Sequence, residues 1–288
     1  MKNLLLKRHR HKPNKAGLPP ETAVYTGHAQ VEEPVVVVVE YNDALFDEKI
    51  LRGLDCLPPA TDKVTWYDVR GLNQVPLIEQ IGQTFNMHPL AVEDVLNTTQ
   101  RPKWDDYRNG IFITLRALRF DEQGENFITE QISFFLEKNA LLTFQEDVHD
   151  LFEVVRERLK LGRGKVRQSG ADFLVYILID CIVDDYINIL DHLEETIETT
   201  EIQILTNFTP SVRSHIYKHK RQLSEIRRAV LPLRDVISRF SREQGEFVNA
   251  GTQVYIRDLY DHVVRVIETV ENQRDMLNNL NDLYNSES

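Results

Sequence analysis

The chain has 288 residues, 42% of them hydrophobic, enough to bury at least one sizeable core and to form two structural regions. Its 34 Lys and Arg against 45 Asp and Glu leave a formal net charge of −11, which argues against a chain that as a whole grips nucleic acid, because phosphate backbones select basic faces. An acidic chain attracts cations. Cys56 and Cys181 are too few and too far apart for a CxxC metal knuckle or a disulfide framework, which fits a reducing cytosol.

The chain opens with MKNLLLKRHRHKPNK, a basic stretch whose apolar part is only three leucines, far short of a signal peptide's core. Residues 1–34 therefore read as a disordered basic tail. Uninterrupted apolar runs such as Val35–Val39 and Leu174–Ile179 are short. A membrane helix needs about 20 predominantly apolar residues, so the chain as given is not expected to span a bilayer.

Residues 35–169 read as an α/β domain. PVVVVVEY has the character of a buried strand, VTWYDVRG and GIFITLRALRF are β-rich, and NFITEQISFFLEKNALLTFQED folds as two strands around a turn at Lys138–Asn139. Between them QVPLIEQIGQTFNM and HPLAVEDVLN are helical, the second with Pro89 in the favoured first turn. Leu151–Leu161 is one more amphipathic helix, and GRGKVRQSG reads as a linker, since it lacks the Ser or Thr after a correctly spaced lysine that a phosphate loop requires.

Residues 170–288 change texture to three long helices: Ala171–Leu205, Pro210–Arg242 and Thr252–Tyr284. The first carries nine acids and no Lys or Arg, giving −9; the second, counted with the adjoining Glu243, carries nine Lys or Arg against three acids, giving +6. The short NFTP connection favours an antiparallel acidic/basic hairpin that neutralises most of this imbalance, with Pro232 bending the second helix. The third helix repeats apolar residues at 4-3 spacing, Leu259, Val263, Val266, Val270, Leu277, Leu280 and Tyr284, interrupted by Gln273. That is a coiled-coil-like stalk seam, and it runs almost to Ser288 without a glycine cap, as a helix that continues would. The expected fold class is thus α+β: a mixed-sheet α/β/α domain followed by long helices.

No GxSxG elbow, HExxH or dinucleotide-binding glycine set is present. His215 and His219 stand one turn apart but inside the basic run HIYKHKR, which repels a dication, so they read as a solvated face. Carboxylates are more telling. Asp180 interrupts the apolar LVYILIDCIV one turn before Asp184, and an unpaired buried charge costs several kcal/mol, so Asp180 needs a partner. Asp258 and Asp261 lie one turn apart in YIRDLYDH beside His262, and Glu93 and Asp94 follow His88 on one short helix, ahead of Asp105 and Asp106.

The blocks HPLAVEDVLNTTQRPKWDDY, YILIDCIVDDY, RRAVLPLRD and YIRDLYDH, in that order, resemble the cytoplasmic part of the CorA family of magnesium channels, from about Val35 to the end of the chain. The resemblance implies a homopentamer without nucleic-acid partners, whose cytoplasmic domain lies beneath the inner membrane and joins it through C-terminal transmembrane helices that this chain does not contain. It implies regulatory Mg2+, with Co2+ or another divalent ion able to substitute, held between neighbouring subunits. Carried over by position, Asp94 of one subunit faces Asp258 of the next across one ion, and Glu93 and Asp180 line a second site. Loss of Mg2+ would loosen the closed arrangement. Thr99 stands where some relatives have His, and the family's Gly-Met-Asn pore signature is absent, so the chain as given is not expected to conduct.

Three other readings compete. A related zinc transporter shares the cytoplasmic architecture, although hard carboxylates without cysteine favour magnesium. A metal-dependent hydrolase would use Glu93, Asp94 and Asp105 as ligands but lacks a recognisable water-activating arrangement. A purely structural coiled coil would not place Asp180 inside an apolar run.

Overall fold

A computed structural model describes residues 17–29, 31–52, 62–121, 124, 126–206 and 210–287. Cys56 and the first 16 residues of the basic tail lie outside the described residues. Among the described residues seven strands form one sheet: β1 (Val35–Tyr41), β2 (Phe46–Arg52), β3 (Val64–Arg70), β4 (Lys103–Tyr107), β5 (Gly110–Phe120), β6 (Phe127–Leu136) and β7 (Ala140–Gln145). Their order is β2-β1-β3-β7-β6-β5-β4, and only the β3–β7 pair is parallel. The sheet is mixed because β7 enters beside β3 after the chain has crossed to the far edge and returned.

Alternation along the strands feeds two cores. Val36 and Val38 face one cluster with Tyr67, Phe135, Leu142 and Phe144, covered by α1 (Val75–Thr84) and α2 (Pro89–Leu96). Val37, Val39 and Tyr41 face the other, with Trp66, Ile113, Phe134 and Leu141, covered by α3 (Glu153–Lys160) and the long helices. The expected α/β/α layering results. Gly82 sets the spacing of the first layer, since a Cβ there would stand 2.5 Å from Val92 Cγ2 on α2.

The two edge strands, β2 (FDEKILR) and β4 (KWDDY), are the elements that the sequence reading missed. Both are charged, as exposed sheet edges commonly are, and charge hides the alternation that marks interior strands. The expected turn at Lys138–Asn139 is present, closed by Glu137 N–H donating to Ala140 O at 2.8 Å.

The stretch expected to be a linker is a packed cap. Gly162 takes the left-handed conformation (φ 61°) just past α3, and Arg167 donates to Leu159 O at 2.6 Å and to Lys160 O at 2.7 Å, satisfying carbonyls at that helix end. Part of the expected disordered tail is likewise attached. Thr26 N–H donates to Leu96 O at 3.1 Å, and Tyr25 Oη donates to Glu146 Oε1 at 2.8 Å.

The long helices are α4 (Ala171–Thr206), α5 (Pro210–Phe240, continuous through Pro232) and α6 (Gln253–Glu287). Successive contacts fix their directions. Asp172 meets Asn249, Phe173 meets Tyr255, and Leu190 meets Gln273, so α4 and α6 run parallel. Glu243 meets Gln253 and Arg227 meets Glu271, so α5 runs antiparallel to α6, and therefore to α4. The hairpin direction is as expected, but its electrostatics differ. Among the described residues no ion pair joins α4 to α5; Arg227 pairs instead with Glu271 of α6 at 2.6 Å, and Arg239 pairs with Asp106 of β4.

The α6 seam also has a nearer partner than another copy. Leu259, Val263, Val266, Val270, Leu277, Leu280 and Tyr284 are all buried in the cluster that contains α4 and α5. Gln273 is buried too, its Nε2 donating to Leu190 O at 2.9 Å. Since the same cluster continues onto the sheet, the change of texture near residue 170 does not mark a second core.

Candidate metal centre

Two acid stations occupy different places in the molecule. The first is on α2, whose N-terminus is set by His88: its Nδ1 accepts from Leu90 N–H at 3.1 Å, and Pro89 fills the first turn. Asp94 is nearly buried. Its Oδ2 accepts from Lys103 Nζ at 2.5 Å and its Oδ1 from Gln100 Nε2 at 2.5 Å. Burial raises its pKa, an effect opposed by Lys103 and reinforced by Asp105 and Glu93. Lys103 also pairs with Asp105 at 2.8 Å. Burial alone would lower the Lys103 pKa, but its bonds to Asp105 and Asp94 outweigh that and raise it. Glu93 Oε2 accepts from Glu21 N–H at 2.5 Å, which ties the station to the N-terminal segment.

The four carboxylates from Glu93 to Asp106 therefore split two and two, on a helix and on an edge strand. Lys103 and Asp105 point to the face of β4 that meets Asp94, while Trp104 and Asp106 point to the other, where Trp104 Nε1 donates to Asp106 Oδ1 at 2.6 Å. An ammonium lies between Asp94 and Asp105, where the hydrolase reading needs a metal.

The second station lies where α4 and α6 run side by side. Asp180 Oδ1 is 3.7 Å from His262 Nδ1, and Asp258 Oδ2 is 3.7 Å from His262 Nε2. Those separations exceed a direct hydrogen bond and suit a bridging water. Asp180 is the partnered interruption that its apolar run requires, with its side chain 25% exposed against 67% for Asp258. Its pKa is raised by burial first and then by the Asp184 carboxylate; His262 opposes the shift and Asp258 adds to it. Asp185 is pushed up to about 6 by burial and by Asp184. Neighbouring acids that oppose one another's ionisation favour a cation nearby.

Asp180, Asp258 and His262 are thus brought together, whereas Asp94 and Glu93 are not with them, because α2 covers one face of the sheet and α4 and α6 the other. Among the described residues no three His, Cys, Asp or Glu side chains converge to hold a metal within the chain. Burial, with Asp185 and Asp184 nearby, pushes the Cys181 thiol up to about 11 and keeps it protonated at neutral pH. His215 is exposed as expected, but His219 is buried, its Nδ1 3.2 Å from Gln222 Oε1. In the sequence His262 is a neighbour of Asp258 and Asp261; its spacing to Asp180, on another helix, is visible only in the fold.

A mixed sheet layered between short helices and three long ones, with acids flanking the long-helix pair, defines a class of fold that can be compared directly with known proteins. The family model described as CorA-like Mg2+ transporter protein matches residues 61–288. The cobalt/magnesium transport protein CorA of Thermotoga maritima is 36% identical over 272 residues, covering 94% of this chain and 77% of that one. The chain belongs to the CorA-like Mg2+ transporter family, a family of ion transporters and not of enzymes.

Solved structures agree at the level of fold. The soluble domain of CorA from Methanocaldococcus jannaschii superposes with a TM-score of 0.74 at 18% identity, covering 87% of this chain and 97% of that one. The cytoplasmic domain of ZntB from Vibrio parahaemolyticus superposes at 0.70 with 17% identity, covering 87% and 97%. Among the described residues no helix is long and apolar enough to cross a membrane.

Proposed function

We propose that this chain is the cytoplasmic Mg2+-sensing and gating part of a pentameric divalent-cation channel in the inner membrane, and that Mg2+ shared between neighbouring copies stabilises the closed state. Asp94 of one subunit would hold the ion with Asp258 of the next, and Glu93 and Asp180 would line a second position. One observation carries this reading: the two acid stations lie on opposite faces of one sheet, so Asp94 and Asp258 meet only if a second copy brings its α6 to α2. Magnesium dehydrates reluctantly, and one or two carboxylates with retained waters suit it better than a closed cage.

Lys103 makes the Asp94 station responsive. The ion must compete with an ammonium already 2.5 Å from the carboxylate, which keeps the site weak and the station charge-compensated when the ion leaves. In the complete, membrane-inserted protein, Asp258→Ala should reduce inhibition of current by internal Mg2+. Unchanged inhibition would count against the proposal.

A second reading, transport of zinc or cobalt, is favoured by His262. An imidazole between Asp180 and Asp258 suits those ions better than magnesium. Replacing His262 by Gln and comparing inhibition by internal Co2+ and Mg2+ separates the two, because only a nitrogen-ligated ion should lose potency selectively.

A further inference from the structure

Four arginines of this acidic protein line one cavity. Between the loop after α2 and the middle of α5 lies a space of about 540 Å³, within the range of small-molecule sites, lined by Arg101, Arg116, Arg227 and Arg228 with Pro102 and Pro232. Glu225 is its one acid, and that carboxylate is 3.3 Å from Arg221. Arg227 is committed to Glu271. The remaining three arginines have no carboxylate within ion-pair distance among the described residues.

Arg116 is the informative one. It is half-buried, and its Nε, Nη1 and Nη2 donate to Gln100 O, Thr98 O and Gln100 O at 3.1, 2.9 and 2.8 Å. Those are neutral acceptors, so no carboxylate bonds the guanidinium directly; burial lowers its pKa, and Tyr186 and Glu146 oppose that only at longer range. A half-buried charge with no direct counterion is costly, and an anion in the adjoining cavity relieves that cost. Arg101 and Arg228 are exposed at the cavity wall, as two planar forks suited to phosphate oxygens. Leu231, Pro232 and Pro102 supply an apolar wall beside them.

We propose that this cavity binds a phosphate ester, its phosphate held by Arg101, Arg228 and Arg116 and its organic body against Pro102, Leu231 and Pro232. The loop that forms the cavity wall also reaches the Asp94 station, because Gln100 donates to Asp94 Oδ1. The proposal stands without the metal-seam reading and is tested with divalent ions removed.

The test is titration calorimetry of the 288-residue chain in EDTA with ATP, and in a parallel arm co-sedimentation with phosphatidylglycerol vesicles. Each is repeated with R101Q/R228Q, whose substitutions are at exposed positions, and folding of the variant is checked by circular dichroism. Binding of ATP that is at least tenfold weaker in the folded double variant and weakens with added salt supports the site for a free phosphate ester. Vesicle binding alone, with the same loss, supports it for a lipid headgroup. Failure of both probes to bind the unsubstituted chain, or equal binding by the folded variant, overturns it.

Discussion

At the scale of single residues, the chemistry depends on which carboxylates have a cation already in place. Asp94 has one in Lys103, so Lys103→Ala leaves a nearly buried acid without its counter-charge and should cost on the order of 1–3 kcal/mol in urea unfolding at neutral pH. If Mg2+ takes the lysine's place, part of that loss returns at millimolar MgCl2; an equal loss with and without the ion would separate Asp94 from metal binding. Glu130 is a different case. Buried and beside Asp147 and Glu146, it is raised mainly by burial from 4.5 to about 7, so the folded state binds more protons than the unfolded state between those values. Stability should therefore fall as pH rises through that window, by up to roughly 3 kcal/mol, and Glu130→Gln, which keeps the acceptor for Asp147 N–H, should flatten the curve between pH 5 and 7.5. Unfolding curves with the same pH slope in both proteins would contradict this. Sequence singled out Glu93, Asp94, Asp180 and Asp258 and required a partner for Asp180; it did not show Lys103 as the partner of Asp94 or His262 as that of Asp180, because both contacts cross between elements.

At the scale of elements, the interior strands and helices were legible from periodicity and capping, whereas β2 and β4 were not. FDEKILR and KWDDY contain the charges that protect a sheet edge, and the same charges erase the apolar signal. The α6 seam was legible as a stripe but not in its destination, since a 4-3 repeat fits α4 and α5 of the same chain as well as it fits another copy. Gln273 tests that packing. Its Nε2 is bonded but its Oε1 is buried without a partner, so Gln273→Leu should raise stability by about 1 kcal/mol, read as a higher thermal midpoint. A buried ionic network behaves oppositely. Asp68 is fully buried and accepts from Thr143, Arg70 and Arg156, and Arg156 also pairs with Asp150, joining α3 to β3. Removing one partner strands the rest, so Arg156→Ala should cost about 3 kcal/mol by chemical unfolding.

At the scale of the whole molecule, the acidic surplus is what the proposed function puts to use. Copies of a −11 chain repel one another at close range, and under the proposed function shared dications would relieve that repulsion. Each half-saturated site would contribute only about 0.4 kcal/mol, but roughly ten in the proposed pentamer would contribute ~4 kcal/mol, close to the ~5.5 kcal/mol that swings a two-state equilibrium from one side to the other. Weak sites therefore gate if they are many and lie between subunits. The most direct measurement is sedimentation of the chain across a MgCl2 titration, alongside Asp258→Ala, a change at an exposed side chain that should leave folding stability within about 0.5 kcal/mol. The account predicts that millimolar Mg2+ drives self-association of the unsubstituted chain and that the substitution abolishes the response. Sedimentation that is indifferent to Mg2+, or a response identical in the two proteins, would contradict it.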